Sequence, residues 1–215
     1  MDEVDKYYGL LRNEIDDLLP YVDGGRILEI GCGQGATLRW VKEKKGYTYA
    51  VGVELDMRAA EVAMEGLDRV YVGNIEEMSI DERVESFDVI LCLDVLEHLR
   101  EPEKVVKYLE KYLVPGGLLI ASIPNVRNFR VTLPLVFFGR WRYEDSGLLD
   151  RTHLRFFTES SAKELLSLNS LCVEEVAYTG FEVGSKARIL NIFTLGLLAA
   201  FLKYQFLISS RKVVK

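Results

Sequence analysis

Short apolar runs rich in β-branched residues alternate with longer segments of helical apolar spacing between Arg26 and Tyr178. This alternation is typical of a mostly parallel sheet covered by helices on both faces. We predict strands at 26–30, 49–54, 69–72, 88–92, 118–123 and 173–178. We predict helices at 34–45, 57–67, 101–114 and 159–169. Residues 79–82, "SIDE", have capping-box spacing and predict one further short turn.

Two segments break this alternation. Residues 124–157 are too long and too aromatic for a simple connection, and long ordered insertions are usually lids or binding loops. Residues 189–210 are apolar but contain Lys203, so their longest uncharged run is shorter than the roughly 20 residues of a membrane-spanning helix. We therefore predict a domain at 1–185 with a lid insert at 124–157, and a basic, apolar C-terminal helix at 186–215. On that helix, one polar strip would carry Asn191, Thr194, Gln205 and Ser209.

The charge is unevenly distributed along the 215-residue chain. All 33 acidic residues lie at or before Glu182, whereas the six charged residues from Lys186 onward are basic, so the net charge of −6 divides into −12 and +6. An acidic body is a poor nucleic-acid binder, because phosphate contacts need a basic surface. The basic, apolar tail instead predicts peripheral membrane contact or a homodimer contact through 186–215.

The same sequence predicts a cytoplasmic protein, at the inner face of the membrane if the tail binds lipid. Cys32, Cys92 and Cys172 are far apart and odd in number, which indicates neither disulfides nor a cysteine zinc site. The N-terminal residues are acidic and lack the basic and apolar regions of a secretory signal. Lys203 makes a true membrane span the least favoured reading of the tail.

The stretch "RILEIGCGQGAT" carries three glycines at alternate positions, Gly31, Gly33 and Gly35, between a strand and a helix. Such a loop presents unpaired N–H groups and the positive end of a helix to an anionic ligand group. Gly31, Gly33 and Ala36 also satisfy the dinucleotide spacing G-x-G-x-x-G/A, with Glu54 following about 20 residues on. The glycine loop alone is therefore also compatible with a nicotinamide cofactor.

Five sequence blocks resemble class I S-adenosylmethionine-dependent methyltransferases in order and spacing. The first, "LEIGCGQG", has Glu29 before the three glycines and is similar to the family signature E/D-x-G-x-G-x-G. "VGVELD", "VGNIEEM", "FDVILCLDVLEHL" and "LVPGGLLIASIPN" follow, so the resemblance covers residues 26–125. It implies an α/β, Rossmann-like fold with a seven-stranded sheet whose last strand is antiparallel. It also implies S-adenosyl-L-methionine as the cofactor.

The resemblance further implies roles for individual residues of the cofactor site. The glycines would line the methionine part, Glu29 would orient the loop or the amino group, and Glu54 would accept both ribose hydroxyls. Asn74 stands where the family commonly has an Asp that contacts adenine. Glu54 and Asn74 could instead cap turns, and an N-terminal helix with Tyr8 and Arg12 could simply close the core. The predicted cofactor site comprises Glu29, Gly31, Gly33, Gly35, Glu54, Leu55, Asn74, Ile75, Leu93, Tyr8 and Arg12.

The two histidines, His98 and His153, are candidates for the proton acceptor that methylation of a hydroxyl requires. Asp94, Glu97 and His98 have the i, i+3, i+4 spacing that places side chains on one helical face. In the resembling O-methyltransferases of quinone biosynthesis a similar cluster holds a divalent metal, but many relatives with this motif have none, and we predict no metal. We predict His153 as the general base, with His98 and Asp94 as further catalytic residues.

Within the insert, "GLLDRTHLRFFT" resembles a stretch of methyltransferases encoded with, or fused to, glycosyltransferases and polysaccharide assembly enzymes. Its polar and aromatic side chains suit an acceptor pocket, and they also suit an ordinary packed loop. The predicted substrate residues are Asp150, Arg151, Arg155, Trp141 and Tyr143. We expect an S-adenosylmethionine-dependent methyltransferase that O-methylates a small-molecule or lipid-linked glycan-type acceptor. The alternatives are a nicotinamide-dependent oxidoreductase and a non-catalytic cofactor-binding subunit.

Overall fold

The computed structural model describes residues 8–180 and 186–213. Its strands are β1 (Gly25–Ile30), β2 (Tyr47–Glu54), β3 (Arg69–Val72), β4 (Phe87–Leu93), β5 (Leu113–Pro124), β6 (Leu171–Thr179) and β7 (Gln205–Lys212). They form one seven-stranded sheet in the order β3-β2-β1-β4-β5-β7-β6. Only β7 runs antiparallel to its neighbours, β5 and β6. The predicted α/β fold class, with a mostly parallel seven-stranded sheet, is confirmed.

The α-helices of the described residues are α1 (Ala36–Lys45), α2 (Met57–Met64), α3 (Pro102–Glu110), α4 (Phe129–Phe138), α5 (Glu159–Leu165), α6 (Lys186–Phe193) and α7 (Ala199–Leu202). Two 3₁₀-helices span Asn13–Leu18 and Leu96–His98. Helix ends follow local signals: Gly46 ends α1 in the left-handed conformation, and Thr158 and Ser161 form a reciprocal capping box at the start of α5. In the described part of the chain, no helix is long and apolar enough to cross a bilayer.

The core covers both faces of the sheet. Leu28 and Ile90 pack in a cluster with α3 and α5, whereas Ile27 and Val89 pack in a second cluster with α1. Successive side chains enter opposite clusters because the side-chain period of a strand is two. Since both faces are buried, β4 is apolar except for Asp88 and β1 is apolar except for Arg26 and Glu29, which makes both strands predictable.

The parallel strands bring their carboxyl ends to one edge of the sheet, where ligands of open α/β sheets bind. Gly31 follows β1, Glu54 ends β2 and Asp94 follows β4 at this edge. Because β7 is antiparallel, its first residue reaches the same edge, with Gln205 paired to Pro124. The edge therefore collects residues from widely separated parts of the chain.

The prediction of a helical tail at 186–215 is wrong for its last part. The helices α6 and α7 end at Leu202, and residues 205–212 form β7 inside the sheet. Phe206 and Ile208 enter one core cluster and Leu207 enters the other, so the run is apolar on both faces and carries no clear strand period. Gln205 therefore shares no helical strip with Asn191. The predicted domain boundary at residue 185 lies outside the described residues.

Two smaller expectations also change. Residues 79–82 form no helical turn; Ile80 N–H instead donates to the Tyr108 hydroxyl over 2.7 Å, and Glu82 accepts from Arg26 and Tyr49. Hydrogen bonds to residues distant in the chain thus take the place of the predicted capping box. The insert at 124–157 contains α4 followed by an irregular loop that returns to β-bridge Asn125–Phe157. Whether the insert acts as a lid stays a prediction.

Candidate active site

The glycine loop between β1 and α1 is tightly packed. Gly31, Gly33 and Gly35 have φ of +70°, +52° and +77°, a region that L side chains rarely adopt. A Cβ on Gly33 would lie 2.5 Å from the Tyr8 carbonyl oxygen, and one on Gly31 would lie 2.8 Å from Val95. The N–H of Gln34 donates to the same Tyr8 oxygen over 2.8 Å. The N-terminal segment, residues 8–12, therefore contacts the glycine loop directly through Tyr8.

Glu54, a predicted residue of the cofactor site, is hydrogen-bonded both to this loop and to the turn that follows β2. Its carboxylate is buried and accepts the Gly33 N–H over 2.7 Å on one oxygen. The other oxygen accepts the N–H groups of Leu55 and Asp56 over 2.8 and 2.9 Å. A carboxylate has about four acceptor positions, so Glu54 retains room for one further donor.

Glu29 is the least satisfied polar group of the loop. It is 3 % exposed at the end of β1, and among the described residues its Oε2 atom has no hydrogen-bond partner. Burial raises the pKa of Glu29 to about 8; Arg12 lowers it and Glu54 raises it further. A buried, orphaned carboxyl beside a glycine loop fits a ligand that carries a cationic amino group.

The predicted adenine-side residues are less clearly placed for a ligand. Asn74 Oδ1 accepts the N–H of Glu76 over 3.0 Å, which is the turn-capping geometry named above as the alternative. Ile75 and Leu93 are buried within the two core clusters. Leu55, in contrast, is 71 % exposed.

Asp94 lies at the centre of a polar network at the end of β4. It adopts φ of +55°, and its N–H donates to Ser122 Oγ over 2.9 Å. Its carboxylate accepts hydrogen bonds from Arg12, Ser122 and Gln205. Arg12 directly precedes the short 3₁₀-helix 13–18, in the segment where the sequence predicts an N-terminal helix. Asp94 thus ties the N-terminal segment to β5 and β7.

Glu97 and the two histidines form a second cluster beside this network. Glu97 is 1 % exposed, and neither carboxylate oxygen has a partner within the described residues. Burial, followed by the charge of Asp94, raises the pKa of Glu97 well above its usual range. The rings of His98 and His153 meet edge to face with centroids 4.8 Å apart. One ligand-type atom from each of these three residues lies within 4.8 Å of the others.

This cluster differs from the grouping that spacing suggested. His153 from the insert, rather than Asp94, accompanies Glu97 and His98. Two backbone hydrogen bonds hold it there, from the N–H groups of Leu154 and Arg155 to the Glu97 carbonyl over 2.8 and 2.9 Å. Carboxylate and imidazole atoms at this separation can share protons or hold a divalent cation.

The protonation state of His153 is set by its surroundings. The ring is 8 % exposed, and its Nδ1 lies 3.3 Å from the Leu148 carbonyl oxygen. Burial, and then the neighbouring His98, lower the pKa of His153 below 6.5. A neutral imidazole at pH 7 is able to accept a proton.

The five predicted substrate residues divide into an aromatic group and a charged group. Trp141 and Tyr143 surround Phe156, with ring centroids 5.1 and 6.4 Å from it. The charged residues are paired within the protein: Arg151 with Asp145, Asp150 with Thr152, and Arg155 with the Arg100 carbonyl. The hydrogen bonds from Thr152 outweigh the effect of burial and lower the pKa of Asp150. Phe156 links these aromatic side chains to His153, with the Phe156 and His153 ring centroids 6.3 Å apart. The charged side chains, in contrast, already have partners within the protein.

A sequence profile described as a methyltransferase domain matches residues 5–175. The chain belongs to the methyltransferase domain family. The match spans the glycine loop, Glu54, Asp94 and His153. The family match and the similar proteins confirm the predictions of a methyltransferase and of S-adenosylmethionine as its cofactor.

Relatives of this methyltransferase agree with that family. It is 28 % identical to a ubiquinone biosynthesis O-methyltransferase of Idiomarina loihiensis over 76 % of this chain and 70 % of that protein. Its fold is similar to an S-adenosylmethionine-dependent methyltransferase of Mesorhizobium loti, with TM-score 0.66, 18 % identity and coverage of 96 and 97 %. A methyltransferase structure from Archaeoglobus fulgidus has TM-score 0.65, 17 % identity and coverage of 93 and 91 %. These two structural similarities confirm the fold.

Sequence reasoning missed three residues around the methyltransferase site. Ser122 and Gln205 complete the Asp94 network from β5 and β7, and Thr152 Oγ1 lies 3.0 Å from His98 Nδ1. It also missed a cleft of about 420 Å³ between the start of α4 and the end of α7, lined by Asn128, Phe129, Arg130, Gly180, Leu202 and Tyr204. Of these features, only Gln205 had a signal in the sequence, because it is a polar residue directly before an apolar run.

Proposed function

We propose that this methyltransferase methylates a hydroxyl oxygen of a small-molecule or lipid-linked acceptor, of the glycan type. The observation that carries the proposal is the buried His153 ring beside His98 and the unpartnered carboxyl of Glu97. A hydroxyl needs a proton acceptor when it is methylated, and this cluster supplies one. The O-methyltransferase relative supports an oxygen nucleophile.

The glycine loop and its neighbours would hold the cofactor. Bound S-adenosylmethionine supplies an electrophilic methyl group on a sulfonium. Gly31, Gly33 and Gly35 allow close approach of its methionine part, and Glu29 receives the amino group. Glu54 accepts a ribose hydroxyl at its remaining acceptor position.

Other predicted residues complete the cofactor site. Asn74, beside Ile75, accepts from the adenine amino group at its second Oδ1 lone pair, since Glu76 N–H uses only one. Tyr8 and Arg12 meet the cofactor carboxylate from the N-terminal segment. Leu55 and Leu93 supply apolar contact from the ends of β2 and β4. No metal enters this proposal.

His153 acts as the general base in the proposed reaction. It takes the hydroxyl proton as the oxygen attacks, and the resulting imidazolium can donate a hydrogen bond to the neighbouring carboxyl of Glu97. His98 positions His153 through the edge-to-face ring contact. Asp94 holds the segment that leads to His98 through its hydrogen bonds, including the one to Ser122. Trp141 and Tyr143 provide apolar walls for the acceptor, while Asp150, Arg151 and Arg155 offer polar contacts.

Two measurements test the proposal. Calorimetric titration should detect S-adenosylhomocysteine binding and no NAD binding, because the family match favours a methyltransferase over a nicotinamide-dependent oxidoreductase. Methyl transfer from labelled S-adenosylmethionine should then be screened against polyprenyl-linked sugars, free sugars and polyprenyl phenols. Transfer to amines alone would refute an oxygen acceptor. Tight product binding with no transfer to any acceptor would favour the non-catalytic subunit.

A further inference from the structure

Half of the large apolar side chains exposed in the described residues lie in two short segments. In α4, Val136, Phe137 and Phe138 are 74, 71 and 68 % exposed. In and after α6, Phe193 and Leu195 are 80 and 91 % exposed. We call residues 127–142 and 186–197 the α4–α6 surface. A concentration of exposed apolar side chains of this kind marks a surface that contacts another molecule or a membrane.

The two segments are joined at the carboxyl edge of the sheet by α7. The side-chain amide of Asn125, just before α4, donates to the carbonyls of Ala200 and Lys203 over 2.9 Å. Asn128 donates to the Lys203 carbonyl over 2.9 Å, and the Arg127 guanidinium lies 5.1 Å from the Phe201 ring centre. Since α7 follows α6 in the chain, both halves of the surface are anchored to one element. They lie at the same edge of the sheet as the glycine loop and Asp94.

The charge of this surface is opposite to that of the rest of the molecule. Residues 127–142 contain Arg127, Arg130, Arg140 and Arg142, and residues 186–197 add two more basic residues, with no acidic residue in either segment. None of the four arginines has an ion-pair partner within the described ranges. Outside the tail the chain carries −12 despite these arginines. The α4–α6 surface therefore complements a partner that has an apolar interior and an anionic outer surface.

We propose that the α4–α6 surface docks the chain onto an anionic lipid bilayer. Phe137, Phe138 and Leu195 would enter the boundary between headgroups and acyl chains, while Arg140 and Arg142 contact lipid phosphates. A second copy of the chain fits less well, because a symmetric contact would oppose two basic surfaces without acidic partners. The docking surface does not depend on which acceptor is methylated.

Vesicle binding of the full chain tests the proposal. Co-sedimentation should be strong with vesicles of phosphatidylcholine plus phosphatidylglycerol, and weaker with pure phosphatidylcholine or at raised salt. Phe137→Gln/Phe138→Gln and Arg140→Gln/Arg142→Gln should each reduce the partition coefficient about tenfold. Their thermal unfolding and S-adenosylhomocysteine binding should match the wild type, because these side chains are exposed.

Matched controls change exposed residues of the same types elsewhere. Met64→Gln/Val84→Gln and Arg58→Gln/Arg83→Gln remove two exposed apolar or two exposed basic side chains outside the surface and should bind vesicles as the wild type does. Equal vesicle binding by wild type and Phe137→Gln/Phe138→Gln, or no binding to anionic vesicles, would overturn the proposal. Sedimentation velocity without lipid should show a monomer. A dimer that Phe137→Gln/Phe138→Gln dissociates would assign the surface to a second copy and overturn the proposal too.

Discussion

The proposed cofactor side and the proposed acceptor side of this molecule differ in which groups they bury: the first buries carboxyl groups, and the second exposes apolar side chains. Around the glycine loop, carboxyl groups are buried, as at Glu29 and Glu54, and the neighbouring apolar side chains lie in the core. In the insert and the segment 186–197, apolar side chains such as Phe137 and Leu195 are exposed. In the proposed function, the first region binds one small ligand by close backbone contact. The second presents a surface.

The two regions meet at a few backbone and side-chain hydrogen bonds. The Glu97 carbonyl accepts two N–H groups of the insert, and Asp94 joins the N-terminal segment to β7. These links hold His153 beside the cofactor region while leaving most of the insert outside it. We therefore expect that substitutions can impair acceptor chemistry and cofactor binding separately, and the following experiments test this separation.

The largest effect is expected for His153→Ala. Loss of the proposed general base should lower kcat about 100-fold, while the Kd for S-adenosylhomocysteine is unchanged because the cofactor region is intact. In the wild type, kcat should remain level to below pH 6.5, since burial and His98 lower the pKa of His153.

Two further variants control for packing at this position. His153→Gln keeps a similar volume and should be as slow as His153→Ala, whereas Tyr143→Phe removes a nearby hydroxyl and should retain kcat. Full turnover by His153→Gln would remove His153 from the reaction. Weakened product binding in both His153 variants would contradict the separation of the two regions.

A second, smaller effect concerns the stability of the cofactor-free protein. Glu29 has its pKa raised by burial from 4.5 to about 8, so between these values the unfolded state releases a proton that the folded state keeps. The stabilising contribution is complete below about pH 4.5 and is lost as the pH rises toward 8. From pH 6 to pH 8 the free energy of unfolding should fall by roughly 2 kcal/mol through Glu29 alone.

Glu29→Gln should remove this part of the pH dependence, because the amide does not titrate. Urea unfolding at several pH values would measure it as the difference between wild type and variant. The same variant should bind S-adenosylhomocysteine more weakly, since the amino group loses its carboxylate. Identical pH dependence of both proteins would show that Glu29 is ionised in the folded state.

A third effect, about tenfold on cofactor affinity, is expected for Gly33→Ala. Alanine costs roughly 1 kcal/mol at the positive φ of this position, and its Cβ would meet the Tyr8 carbonyl oxygen at 2.5 Å. Gly116→Ala is the matched control, because Gly116 has φ of +81° with open space around its Cβ position. Both variants should lose stability, but only Gly33→Ala should bind S-adenosylhomocysteine more weakly in calorimetry. Equal binding by both would mean that the loop does not contact the cofactor.

The same contrast explains how far the sequence could predict the structure. The strands β1, β2 and β4 and the glycine loop were predictable because burial on both faces and bare backbone leave local patterns. The environment of Asp94 was not, since Ser122 and Gln205 are 28 and 111 residues away in the chain. Likewise, both histidines stood out by residue type, yet nothing local indicated that the insert would bring His153 against His98. β7 was misread because its alternation is hidden by burial on both faces.

The smallest expected effect distinguishes a substrate contact from a surface ion pair on the acceptor side. The side chains of Arg151 and Asp145 are 62 and 91 % exposed and form an ion pair over 2.6 Å. Such a pair contributes at most about 1 kcal/mol, so Arg151→Ala and Asp145→Ala should both unfold close to the wild-type temperature. If the guanidinium also contacts the acceptor, Arg151→Ala should raise KM about threefold at unchanged kcat, whereas Asp145→Ala should not. Equal KM values in both variants and the wild type would confine Arg151 to the ion pair and place acceptor recognition on the aromatic side chains around Phe156.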